Sequence, residues 1–145
     1  MKTFRKILVA NRGEIAARIM RSAREMGIKT VAVYAAADSD SLHIPQADEA
    51  YRIGQEELAD TYLNIDKLID VAKKSGCEAV HPGYGFLAEN PQFAKAVEEA
   101  GLAFIGPSAE AIRLMGNKIE ARKKMREIEV PLLEGQTGTP EELLK

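Results

Sequence analysis

The stretch "KILVANRGEIAARIM", residues 6–20, places a short apolar run directly before a segment with helical periodicity. Apolar residues at helical spacing, with arginines between them, indicate an amphipathic helix over residues 13–27 that ends at Gly27. The stretch therefore predicts a strand, a tight turn and a helix. The apolar stripe of this helix is predicted to consist of Ile15, Ile19, Met20, Ala23 and Met26.

The same alternation continues along the chain. Further strands are predicted at residues 29–35, 49–54, 78–81 and 102–106, and further helices at residues 64–76, 90–101, 108–116 and 117–128. Strands separated by helices of about 10–15 residues are typical of right-handed crossovers and a parallel sheet. We therefore predict an α/β fold of Rossmann type, with helices on both faces of the sheet.

Ligands of such sheets bind beyond the carboxyl ends of the strands. The turns that follow Ala10, Tyr34, His81 and Ile105 are therefore the places where functional residues are expected.

Asparagine and threonine mark the predicted helix starts. Asn64 is a candidate N-cap, and Asn90 precedes Pro91 at a first helical position. Thr139, with Glu142 three residues later, forms a capping-box pattern close to the last residue. Because a helix this short is unstable alone, we expect the chain to be an N-terminal piece of a longer protein.

Composition excludes several classes of partner. The 145 residues have a net charge of −2, which argues against nucleic acid or an anionic membrane surface as a partner. No apolar run approaches the roughly 20 residues of a membrane span, and the N-terminal apolar run is too short for a signal peptide. The single cysteine, Cys77, cannot form a disulfide within the chain. We expect a cytoplasmic protein.

The first turn, "ANRGEIA" at residues 10–16, carries one glycine, Gly13. A dinucleotide site would require G-x-G-x-x-G, whose second glycine lets the backbone approach the pyrophosphate. Arg12 stands where a small residue would be needed. This turn argues against NAD(P) binding.

The turn after the fourth strand lies within "AVHPGYGFLAEN", residues 79–90. Gly83 and Gly85 permit positive φ angles, and Tyr84 between them is expected to project from a tight turn toward a ligand. A purely structural interpretation stays open, in which His81 ends the strand and Tyr84 and Phe86 cover the sheet edge.

Three segments together carry a family resemblance. "ANRGEIAARI", "HPGYGFLAEN" and "FIGPSAEAIRLMGNK", in this order and spacing, closely resemble the N-terminal domain of biotin carboxylases. This family occurs in acetyl-CoA, propionyl-CoA and pyruvate carboxylases, and the resemblance runs from about Phe4 to Gly135. It implies a domain at residues 1–116, followed by residues 117–145 as a helical segment and the truncated start of an ATP-grasp module.

The resemblance implies a function for the whole enzyme. Biotin carboxylases use ATP, with Mg²⁺ or Mn²⁺, and bicarbonate to carboxylate biotin on a carrier domain, which a carboxyltransferase then uses. Tyr84 and Gly85 match the residues that lie near the biotin ureido ring. The lid over ATP, the metal ligands and the bicarbonate-binding residues of the family correspond to positions beyond Lys145. We therefore expect no catalytic residue, no metal ligand, no tightly bound cofactor and no activity in this chain alone.

Lys118 matches the first nucleotide-binding lysine of the family and is a candidate ATP contact. Most members have "GDK" where this chain has "GNK", so Asn117 keeps a helix cap and lacks the charge. As a residue of a first helical turn, Lys118 also fits an ordinary solvated surface position.

Many members of the family are dimers, and the resemblance places Arg18, Arg21 and Glu25 of the first helix at the subunit contact. The alternative for Arg21 and Glu25, four residues apart, is an exposed ion pair within one chain. The two histidines are too scattered for a metal site, and Cys77 is expected to be a small core residue.

Two alternative functions remain at this point. One is the equivalent domain of another ATP-grasp ligase, such as a carbamoyl-phosphate or purine-biosynthesis enzyme, which should lack "HPGYGFLAEN". The other is a dimerisation or binding module without chemistry of its own.

Overall fold

The computed structural model describes residues 4–132, and within them all strands pair in parallel in one sheet. The five strands lie in the order β3-β2-β1-β4-β5, which is doubly wound as in Rossmann folds. Their bounds are β1 Lys6–Val9, β2 Lys29–Ala35, β3 Glu49–Gly54, β4 Ala79–His81 and β5 Ala103–Phe104.

Helices connect the strands and continue after the last one. They are α1 Gly13–Glu25, α2 Ile65–Lys74, α3 Pro91–Glu99, α4 Ala109–Gly116 and α5 Lys118–Glu127. Three short 3-10 helices interrupt the loops, at Ala36–Asp38, Ile44–Gln46 and Leu58–Asp60.

The core lies on both faces of the sheet because successive side chains of a strand point to opposite sides. On one face, Leu8 and Val80 pack in a cluster with Leu68 of α2 and Phe93 of α3. On the other face, Val9 packs against Ala16 and Met20 of α1, and Ile7 packs against Ala23. The predicted α/β fold with helices on both faces is confirmed.

The two predicted asparagine caps, Asn64 and Asn90, are also confirmed. Asn64 Oδ1 accepts the backbone N–H of Lys67 at 3.0 Å, and Asn90 Oδ1 accepts that of Gln92 at 2.8 Å. The capping box predicted around Thr139 lies outside the described residues, as does the end of the predicted segment 117–145. The domain boundary after Gly116 stays a prediction.

Two features differ from the sequence-based expectation. Strand β5 is two residues long, since it pairs only with the three-residue β4, although Ile105 N still donates to Val80 O. Met26, predicted in the apolar stripe of α1, is 68% exposed, so its assignment to the buried stripe was wrong. It lies one residue past the end of α1, where it is the C-cap.

In residues 4–132, none of the helices has the length and apolar character that a bilayer crossing requires.

Candidate functional site

Turns from three neighbouring strands meet at the carboxyl edge of the sheet. Residues 10–13 follow β1, residues 36–38 follow β2, and residues 82–86 follow β4. The sheet order places β1 between the other two strands, so side chains from its turn reach both neighbours. Asn11 extends toward the turn after β4, and Arg12 extends toward the turn after β2.

Arg12 joins an aromatic pair to an acidic residue. Its guanidinium Nη1 lies 2.9 Å from Asp38 Oδ2, and its Cζ lies 5.2 Å from the ring centre of Tyr62 and 5.5 Å from that of Phe86. The two rings stack with centroids 5.3 Å apart and planes 3° from parallel. Phe86 itself has a positive φ angle of 42°, which is unusual for a residue other than glycine.

Burial and hydrogen bonds act in opposite directions on the pKa of the Asp38 carboxyl. Burial disfavours its charge, but hydrogen bonds from Tyr62 and Arg12 outweigh burial and lower the pKa of the Asp38 carboxyl. Burial, together with donation of its O–H to Asp38 Oδ2 at 2.8 Å, raises the pKa of Tyr62 well above its usual range. Tyr62 therefore serves as a neutral donor, and Asp38 as a fixed negative partner for Arg12.

His81 ends β4 as a neutral residue. Its Nδ1 accepts the backbone N–H of Gly83 at 3.0 Å, which requires that Nδ1 carry no proton. Burial lowers the pKa of the His81 imidazole, in agreement with that role. His81 lies at the end of β4, as the purely structural interpretation has it.

His43, which sequence reasoning left without a role, also supports the site. It is fully buried, its Nε2 lies 3.2 Å from Val33 O, and its Nδ1 accepts the N–H of Gly13 at 3.3 Å. The side chain thereby connects β2 to the first residue of α1. Among the described residues, no cluster of three or more histidine, cysteine, aspartate or glutamate side chains could hold a metal.

Tyr84 projects outward from the turn, as predicted, and is 78% exposed. Gly83 and Gly85 on either side have φ angles of +73° and +67°. Apart from its two chain neighbours, a Cβ atom added at Gly85 would meet no protein atom within 4 Å among the described residues, so the space beside this backbone is open. The Tyr84 ring and the Gly85 backbone therefore lie side by side at this turn.

An apolar groove of about 590 Å³ runs from this turn along α1. Ile7, Ile15, Ile19 and Ile105 line it, and Arg18 and Tyr84 also contribute to its wall. Ile15 and Ile19 are only partly buried, because α1 leaves this part of the sheet face uncovered. The structure therefore brings Tyr84 and Arg18 to one cavity.

Lys118 lies elsewhere, in a separate shallow depression that also includes Glu89, Pro91 and Arg113. Asn117 caps α5, since its Oδ1 accepts the N–H groups of Ile119 and Glu120 at 3.0 and 3.2 Å. Lys118 is exposed and, within residues 4–132, has no carboxylate within 4.0 Å. Its ammonium is free there to contact an anion.

Comparison with known proteins decides the family. The family model described as "Biotin carboxylase, N-terminal domain" matches residues 3–112. The chain belongs to the biotin carboxylase N-terminal domain family.

Individual relatives agree. The chain is 54% identical over 134 residues to biotin carboxylase 1 of Bacillus subtilis, covering 92% of this chain and 30% of that relative. It is 55% identical over 140 residues to the mitochondrial methylcrotonoyl-CoA carboxylase subunit alpha of Glycine max, covering 97% of this chain and 19% of that subunit. The solved biotin carboxylase domain of a thermophilic 2-oxoglutarate carboxylase bound to bicarbonate superposes with a TM-score of 0.90 at 50% identity, covering 94% of this chain and 31% of that one.

The biotin carboxylase resemblance of the sequence is thereby confirmed, while the roles of individual residues stay predictions. Arg18, Arg21 and Glu25 are all exposed on α1, where a second subunit could reach them. Arg21 and Glu25 form no ion pair within 4.0 Å in the described part of the chain, so the intrachain pair is not observed. Cys77 is buried beside Ser75, as expected of a core residue, and burial raises the pKa of its thiol.

Sequence reasoning missed Asn11, Asp38 and His43 as residues of this site. Asp38 and His43 lie in a polar loop without a motif, and their partners are distant in sequence. The predicted parallel sheet offered one signal, because the turns after its strands lie at one edge of the sheet.

Proposed function

We propose that this chain acts as the N-terminal domain of an ATP-dependent biotin carboxylase and contributes Tyr84 and Gly85 to the site for biotin. The observation that carries the proposal is the exposed tyrosine ring beside a glycine backbone with open space around it. The ureido ring of biotin is flat and polar, so it can lie against the Tyr84 ring while approaching the Gly85 backbone closely.

The remaining parts of the reaction belong to the whole enzyme. We propose that Lys118 contacts the phosphates of ATP through a charge-assisted hydrogen bond. Mg²⁺ or Mn²⁺ bound with ATP would neutralise phosphate charge, and we assign its ligands to no residue among 4–132. An ATP-grasp module, a biotin carboxyl carrier domain and a carboxyltransferase are the proposed partners.

The acceptor of the carboxyl group stays open. Relatives at 51–55% identity are named for pyruvate, methylcrotonoyl-CoA and 2-oxoglutarate carboxylases. Since relatives of similar identity carry different acceptor names, this domain does not select the acceptor in our proposal. With acetyl-CoA as the acceptor, the enzyme would serve fatty acid biosynthesis. We also propose a cytoplasmic location and a homodimer that contacts through Arg18, Arg21 and Glu25.

The test is a chimera in which this chain replaces the matching 134-residue segment of Bacillus subtilis biotin carboxylase 1. We expect the chimera to carboxylate free biotin with ATP and bicarbonate. A folded chimera without this activity would contradict the proposed function.

Within the chimera, Tyr84→Ala should raise the KM for biotin about tenfold, since loss of one aromatic contact costs on the order of 1.4 kcal/mol. The KM for ATP should stay unchanged. Leu42→Ala is the matched control, because Leu42 is 79% exposed, like Tyr84, and lies outside the groove. Equal KM values for biotin in both variants would remove Tyr84 from the site.

A further inference from the structure

Asn11 uses its entire carboxamide to connect the turn after β1 with the turn after β4. The side chain is buried, with the residue 3% exposed. Its Nδ2 donates to Pro82 O at 3.0 Å and to Tyr84 O at 2.9 Å. Its Oδ1 accepts the backbone N–H of Arg12 at 3.0 Å. Both donors and the acceptor oxygen are therefore engaged.

The close approach of Asn11 also accounts for Gly83. A Cβ atom added at Gly83 would lie 2.5 Å from Asn11 Nδ2 and 2.7 Å from its Cβ, distances that real atoms do not adopt. Gly83 thus leaves room for the Asn11 side chain in addition to supplying a φ angle of +73°. The two residues form one unit, although they lie far apart in sequence.

The bond to Tyr84 O acts directly on the backbone of Gly85. Tyr84 O and Gly85 N belong to the same planar peptide unit, in which C=O and N–H point in opposite directions. With its carbonyl held by Asn11, the unit must direct the Gly85 N–H away from Asn11. The orientation of the backbone beside the Tyr84 ring is therefore set by the buried side chain of Asn11.

We propose that Asn11 is a positioning residue for biotin, fixing the Tyr84–Gly85 peptide in the orientation that receives the ureido ring. This inference rests on the proposed function of that turn. Asn11 itself touches only the chain. Its effect should therefore appear in the affinity for biotin and leave the affinity for ATP unchanged.

Asn11→Asp is the sharpest substitution, because aspartate has the same shape and keeps the acceptor for Arg12 N–H. It replaces the two N–H donors by an oxygen that repels the carbonyls of Pro82 and Tyr84. In the chimera with Bacillus subtilis biotin carboxylase 1, the KM for biotin should rise on the order of tenfold or more, since small misplacements of binding groups have effects of this size. The KM for ATP should stay within about twofold of that of the unsubstituted chimera.

Ser108→Ala is the matched control for stability alone. Ser108 caps α4 by accepting the N–H of Ala111 at 3.2 Å and has no bond to the turn. The Ser108→Ala substitution should lower the melting temperature of the chimera without changing its KM for biotin. If Asn11→Asp does not fold, Asn11→Ser keeps one short donor and should give a smaller rise in the same KM.

Hydrogen exchange of the 145-residue chain gives a readout that needs no activity. The Gly83 amide, bonded to His81 Nδ1 at 3.0 Å, should exchange faster in Asn11→Asp than in Ser108→Ala. An unchanged KM for biotin in a folded Asn11 variant would overturn this inference and leave the proposed function standing. An unsubstituted chimera that folds and is inactive would instead overturn both.

Discussion

Asp38 is the residue through which pH should act on this site. Its carboxylate accepts Tyr62 O–H at 2.8 Å and lies 2.9 Å from Arg12 Nη1, and the pKa of Asp38 is lowered in the folded protein. A lowered folded-state pKa means that the unfolded chain binds the proton more readily. The stabilisation is therefore complete above the unfolded pKa of about 3.9 and is lost as pH falls through the lower folded pKa.

Asp38→Asn should consequently destabilise the protein by about 1–2 kcal/mol at neutral pH, because hydrogen bonds to a charged group are lost. The difference from the unsubstituted protein should shrink as pH falls below about 3.9. Urea unfolding across this range measures both effects. Asp40→Asn, an exposed neighbour in the same loop, is the control and should behave like the unsubstituted chain. A stability difference that does not vary with pH would contradict the assignment of charge to Asp38.

At the scale of elements, the regular parts of the fold could be predicted because strands and helices have their own periodicities. Every strand and helix through α5 was predicted to within a few residues, and Asn64 and Asn90 marked helix starts correctly. The 3-10 helices were missed because three residues are too few to show a hydrophobic periodicity. The exposure of Met26 was missed because the predicted helix extended to Gly27, whereas α1 ends at Glu25 and Met26 is its C-cap.

The residues of the site likewise divide into those that the sequence predicted and those that it did not. The protrusion of Tyr84 was predicted from the glycines on either side of it, whereas the match of Tyr84 and Gly85 to the biotin site came from the family resemblance. The contacts made by Asn11 span 71 and 73 residues, and they depend on β1 and β4 being neighbours. No local pattern in the sequence encodes such contacts. The sequence alone therefore predicted the turn after β4 as a functional region, but it did not predict that Asn11 binds this turn.

The start of α5 is the element on which nucleotide binding is expected to depend. Lys118 is its first residue, and Asn117 caps it through side-chain hydrogen bonds at 3.0 and 3.2 Å. In the chimera, Lys118→Gln should raise the KM for ATP tenfold or more, since a charge-assisted bond contributes about 1.5–3 kcal/mol. The KM for biotin should not change. Lys123→Gln on the same helix, where the lysine pairs with Glu120 at 3.2 Å, is the control. Equal effects of both substitutions would mean that only the general charge of α5 matters.

At the scale of the whole molecule, the two predicted ligand contacts are separate. Tyr84 lines the groove along α1, whereas Lys118 lines a different depression beside Pro91. The apolar groove lies open where α1 leaves the sheet uncovered. Among residues 4–132, the groove at Tyr84 and the depression at Lys118 have no lining residue in common.

This arrangement predicts that the 145-residue chain by itself neither binds ATP tightly nor carboxylates biotin. One charge-assisted contact of about 1.5–3 kcal/mol falls short of the roughly 4 kcal/mol that even a millimolar dissociation constant requires. Isothermal titration with MgATP should therefore show no saturation at submillimolar concentrations for the chain alone, and saturable binding for the chimera. Tight nucleotide binding by the 145 residues would contradict the shared-site function and indicate an independent binding module, because the affinity would then have to come from contacts that the chain makes without a second domain.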